Sequence, residues 1–113
     1  MRINDITNNN EKFHFMGNSW DVTQGFKIVN RDNVKPEEFN VADLAVFLGF
    51  IRVDQDYAKN TTNNSPVLLI ELPEGLLMID GYHRLTQAKE NGVATLKGYA
   101  LSQKQTKEIT LSH

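Results

Sequence analysis

An α+β fold in one small domain is what this sequence predicts, and three observations predict it. Two nearly continuous apolar runs, residues 67–72 and 76–79, flank a turn built on Pro73 and Gly75. A stripe of apolar residues at helical spacing precedes them, and a helical segment closed by a glycine follows. The chain has 113 residues, enough for one hydrophobic core and too few for a second. The expected architecture is a mixed sheet with a central hairpin flanked by helices.

Residues 1–25 read as an N-terminal arm. Asn8, Asn9 and Asn10, and then Met16, Gly17, Asn18 and Ser19, favour turns and left-handed backbone. Phe13, Phe15 and Trp20 are too apolar for a disordered tail, so the arm is expected to pack on a domain formed by residues 26–113. Phe26, Lys27, Ile28 and Val29 alternate and include strong β-formers, which predicts a short strand. Residues 31–39 follow as a polar connection containing Pro36, Glu37 and Glu38.

Asn40 is a suitable N-cap, and Asp43 three residues on suits the positive end of a helix. Leu44, Phe47, Leu48 and Ile51 recur at helical spacing, so a helix is expected to run to about Ile51. Residues 54–65 form a long polar loop without periodicity, either a lid over a site or an inserted surface loop. The apolar runs 67–72 and 76–79 then form a hairpin, and their continuity predicts strands inside the sheet rather than at its edge. Residues 82–91 predict a helix with Leu85 and Ala88 inward and Gly92 as its stop. Residues 95–101 return as a strand, and residues 103–111 fit either a helix or a strand.

Composition bounds the function classes. The formal charge is −2 with mixed signs along the chain, so the broad basic face of a non-specific duplex binder is missing and nucleic acid is disfavoured as a partner. The absence of cysteine removes disulfides, thiolate metal sites and cysteine nucleophiles. The sequence has no apolar run of transmembrane length and no signal peptide pattern. A cytoplasmic protein with no membrane partner is the expectation.

The stretch Asp80, Gly81, Tyr82, His83 and Arg84 lies between an apolar strand and a helix. A helix start with a glycine and a His-Arg pair offers backbone N–H groups beside cationic side chains, the chemistry of an anion site, with phosphate foremost. Gly81 would let backbone approach a phosphate, or would serve a tight turn. Arg84 offers a planar fork for phosphate oxygens, or a salt bridge. His83 would donate to phosphate, or be structural. Asp80 would bind a magnesium ion, or cap the helix. Tyr82 would stack on a base, although filling the core is the better use of its ring.

The run Ile79 to Leu85, followed by Ala88, Asn91 and Gly92, resembles the signature of the ParB/sulfiredoxin superfamily, in which a strand enters a Gly-x-x-Arg turn at a helix start. The resemblance covers roughly residues 26–101 and implies that family's nucleotide-binding fold. Sulfiredoxins need a cysteine where this chain has Tyr82, which excludes sulfinic-acid reduction. Partition proteins carry further DNA-binding and dimerisation segments, for which this chain is expected to have no room. The Asp-Gly-x-His-Arg pattern is most similar to the free-serine kinase branch, and Lys35, Pro36, Glu37 and Glu38 match its Lys-Pro-x-Glu box. That match implies Glu38 as general base, with His83 as a second catalytic residue. Gly81, Tyr82, His83 and Arg84 would bind the nucleotide and Asp80 the metal.

The implied function is nucleotide binding with phosphotransferase potential, using ATP, ADP or CTP with magnesium and a small hydroxyl acceptor. The alternative is a non-enzymatic regulatory or interaction protein of phage or plasmid type, with a protein partner. A ParB-like nuclease is the poorer reading, because the sequence lacks a dense acidic cluster and a basic groove.

Overall fold

The computed structural model describes residues 10–49 and 65–112. The order is β1 (Lys12–Phe15), β2 (Asn18–Asp21), α1 (Val22–Arg31), β3 (Glu37–Asn40), α2 (Val41–Leu44) with a 3-10 turn (Ala45–Gly49), β4 (Val67–Leu72), β5 (Gly75–Asp80), α3 (Tyr82–Glu90), β6 (Thr95–Leu101), α4 (Gln103–Ile109) and β7 (Thr110–Ser112). The α+β class is as the sequence predicts.

The central sheet has the order β3-β6-β4-β5. β4 and β6 run parallel, and the other two pairs are antiparallel. Side chains alternate across it and feed two cores. Leu68, Ile70, Leu77, Ile79 and Leu101 pack with Trp20, Ile28, Val29 and Ile109, so α1, α4 and the N-terminal hairpin cover one face. Val67, Leu69 and Met78 pack with Val41, Leu44, Tyr82, Leu85 and Ala88, so α2 and α3 cover the other.

This layering explains one departure from expectation. β5 stands at the end of the strand order, yet Leu77, Met78 and Ile79 are all buried. Apolar continuity reports that both faces are covered, and does not separate an edge strand from an internal one. The hairpin turn itself is as expected, with Gly75 at φ +138°.

A second departure is at residues 26–29, which belong to α1 and not to a strand. Val22, Gly25, Ile28 and Val29 are its buried positions, a helical period that four residues alone cannot display. Asp21 caps it by accepting from Gln24 N–H at 2.9 Å. Gly25 lets α1 lie close to the sheet, since a Cβ there would stand 2.9 Å from Leu68 Cδ2. The helix crosses the expected boundary at residue 25. The arm is a hairpin, with Trp20 buried and β2 paired to β7.

The expected connection 31–39 contains part of β3, which pairs with β6. The helix expected to reach Ile51 is a four-residue α2 running into the 3-10 turn. Leu44, Phe47 and Leu48 do face a core, whereas Ile51 and all of the 54–65 loop except Ser65 lie outside the described residues. Residues 103–111 hold both alternatives in succession. Ser102 and Gln105 form a reciprocal capping box that starts α4, and β7 follows.

Candidate functional site

β5 delivers Asp80 to the end of the sheet, and Gly81 turns the chain into α3 with φ +106° and ψ 15°. Gly81, not Asp80, holds the N-cap position, and no side chain caps that helix start. A Cβ on Gly81 would stand 2.4 Å from Val67 Cγ1 and 2.7 Å from Val67 Cβ. The glycine is thus required by its backbone angle and by Val67.

Arg84 emerges from the first turn of α3. Its Nη2 donates to Asp80 Oδ2 at 3.1 Å and to the Pro66 carbonyl at 3.5 Å. Both partners are largely buried, with side chains 15% and 19% exposed. The carboxylate fixes the guanidinium, and losing either partner would leave the other charge withdrawn from water without compensation. Arg84 Nε is buried with no hydrogen-bond partner among the described residues.

The Glu11 carboxyl of the N-terminal arm responds to this pair. Its ionisation is pushed up by desolvation first, then by the charge and hydrogen bond of Asp80, while Arg84 opposes the shift. Glu11 is exposed over the residue as a whole. Asp80 already meets a guanidinium, so it does not fit the expected magnesium ion. Among the described residues no group of three or more His, Cys, Asp or Glu could hold a metal.

The remaining motif residues separate. Tyr82 is a core residue: it is buried, its hydroxyl donates to the Met78 carbonyl at 2.7 Å, and its ring stacks on Phe13 at 5.9 Å. Burial raises its phenol pKa. It is not available to a nucleotide base. His83 is half-buried on the first turn of α3.

Glu38 is exposed on β3, directly across from Lys97 of β6. Its neighbours Phe39 and Leu96 join the core beneath α3. By strand alternation Glu38 therefore faces the opposite side of the sheet. The structure does not bring Glu38 and Arg84 together.

A cavity of about 410 Å³ does adjoin Arg84, between α3 and the start of β6. Arg84 and Lys97 both belong to its lining, and no described lining residue is acidic. Lys97 lies directly across from Glu38, so its side chain shares Glu38's face of the sheet and Arg84 is the cation that α3 brings to the cavity. Gln87, Asn91, Ser65 and Thr95 add neutral polar groups, with Ala88, Val93 and Leu96 as apolar wall. Of the motif residues, only Arg84 lines it; Gly81, Tyr82 and His83 do not. The volume suits a small-molecule ligand.

Sequence reasoning missed Gln87 and Asn91, which line the cavity with Arg84. Their spacing of three and seven residues from Arg84 along the predicted helix 82–91 was a signal that could have found them.

Comparison of the chain with family models, curated proteins and solved structures finds no match. None of the described helices is long and apolar enough to cross a membrane.

Proposed function

We infer that this is a ParB/sulfiredoxin-like domain that binds a phosphate-bearing small ligand, a nucleotide first, in the cavity between α3 and β6. The observation that carries the reading is Arg84, largely withdrawn from water, on the wall of a cavity whose other described lining residues on α3 are neutral. A guanidinium there favours an anion, and its low exposure strengthens the pull. Asp80 orients the Arg84 fork, while Gln87 and Asn91 offer amides to polar edges of the ligand. The apolar residues Ala88, Val93 and Leu96 suit a base or sugar face.

Binding has stronger support than transfer. With Glu38 on the other side of the sheet, a base for the acceptor hydroxyl does not come from that residue. This placement favours the second reading, a nucleotide-responsive regulatory or interaction protein without catalysis.

Melting the protein with ADP, ATP or CTP tests the reading: a raised midpoint is expected, and lost in Arg84→Gln. No shift with any nucleotide would defeat it. Incubation with ATP and small hydroxyl acceptors separates the two versions. Product formation that disappears in Glu38→Gln would favour the kinase and contradict the placement of Glu38 described above.

A further inference from the structure

The charges around the cavity between α3 and β6 set how much negative charge its ligand can carry. Arg84 meets Asp80 at 3.1 Å with both side chains largely withdrawn from water, and the pair is neutral as a unit. The other α3 residues of the lining, Gln87, Ala88 and Asn91, are uncharged. Lys97 also borders the cavity, but it stands across from Glu38 and its side chain shares that residue's face of the sheet. Lys89 and Glu90, adjacent and exposed on α3, lie outside the lining and offset one another. One phosphate can therefore meet the Arg84 guanidinium, whereas each further phosphate adds charge that no other α3 side chain of the lining meets. Asp80 is engaged by Arg84, and among the described residues no group of three or more His, Cys, Asp or Glu could hold a magnesium ion to offset a polyphosphate.

Away from Arg84 the cavity changes character. From Arg84 to Asn91 the helix advances roughly 10 Å, about the reach from a phosphate to the far edge of its nucleobase. Asn91 is the C-cap of α3, where the negative end of the helix dipole disfavours a second anionic group. Val93 follows on the cavity wall and is 44% exposed, one of the few large apolar side chains that the described structure leaves in solvent. Ala88 and Leu96 extend that apolar wall. This end suits an uncharged, flat and partly apolar group, with the Asn91 amide beside it to donate and accept hydrogen bonds.

We propose that the cavity takes a nucleoside monophosphate without a metal ion, its phosphate on Arg84 and its base over Val93 beside Asn91. This rests on the anion-binding reading above and narrows it to one phosphate. The base covers the exposed Val93 side chain, and the phosphate meets the guanidinium while Asp80 keeps it in place. ADP and ATP enter the same cavity but gain nothing from their additional phosphates.

Amide NMR titration of the whole chain at constant ionic strength and about pH 7.5, where a phosphate monoester is doubly ionised, tests this. AMP, ADP and ATP are compared, each with EDTA or with magnesium, alongside two fragments, adenosine and ribose 5-phosphate. AMP should shift residues 84–91 and 93–97, bind at least as tightly as ADP or ATP, and be indifferent to magnesium. Each fragment should bind about tenfold or more weakly than AMP. Val93→Ser, a change at a side chain already half in solvent, should weaken AMP roughly three- to tenfold and leave ribose 5-phosphate unchanged. ADP or ATP binding about tenfold tighter than AMP at those amides, with or without magnesium, would overturn the single-phosphate proposal while leaving the anion site standing. Either fragment matching AMP, or a Val93→Ser protein with wild-type AMP affinity, would overturn the joint contact of phosphate and base. Failure of all five compounds to shift any α3 or β6 amide would overturn the anion site itself, and this proposal with it.

Discussion

Replacing Gly81 by alanine separates a steric role for this glycine from a ligand-binding one. Two costs are visible. The backbone sits at φ +106°, outside the region that residues with a Cβ adopt, which costs about 1–3 kcal/mol. The new methyl would also stand 2.4 Å from Val67 Cγ1, and Val67 is fully buried on β4 with no room to retreat. Overpacking of this kind costs about 1–3 kcal/mol. The sum, roughly 2–6 kcal/mol, is a large share of the roughly 5–15 kcal/mol that holds a small domain folded. Urea denaturation reads the loss directly. In the Val67→Ala background the Gly81→Ala loss should shrink to about the backbone part alone, roughly 1–3 kcal/mol. A Gly81→Ala protein of unchanged stability that had lost ligand binding would refute the reasoning, and would return the glycine to a phosphate cradle.

Other outcomes follow from single contacts. Thr106 is 3% exposed and its hydroxyl has no partner among the described residues, so Thr106→Val should be neutral or stabilising by up to about 1 kcal/mol in the same denaturation assay. Tyr82→Phe removes the 2.7 Å bond to the Met78 carbonyl and should cost about 1–2 kcal/mol while leaving nucleotide affinity unchanged. Arg31 joins α1 to α4 through Glu108 and also pairs with its neighbour Asp32, and holds both carboxyls below their usual range through its hydrogen bonds. Depressed folded-state values stabilise the protein above the unfolded pKa, near pH 4, and that contribution drains as pH falls through them. Thermal melts between about pH 5 and 2 should therefore show a shallower acid loss in Arg31→Gln than in the wild type.

The fold was legible wherever one local signal decided it. The hairpin, α3 and β6 each announced themselves through apolar runs, turn residues or a glycine stop. α1 was hidden because Phe26 to Val29 also satisfy a strand's propensity, and only the longer span from Val22 shows the helical period. The cap at Asp21 would have marked its start. At the site, the motif was visible but its division of labour was not. Tyr82 and Gly81 serve the core through Phe13, Met78 and Val67, and those contacts come from distant segments. The face on which Glu38 lies depends on strand register with β6, which no local pattern encodes. Arg84 lines a cavity, and Gln87 and Asn91 join it there from the same face of α3.

The central claim is that an anionic ligand sits against Arg84 in the cavity between α3 and β6. Amide NMR with ADP tests it most directly. The account predicts shifts concentrated on residues 84–91 and 93–97, lost in Arg84→Gln. Shifts centred instead on Gly81 and His83, unchanged in Arg84→Gln, or no shifts at all, would contradict it.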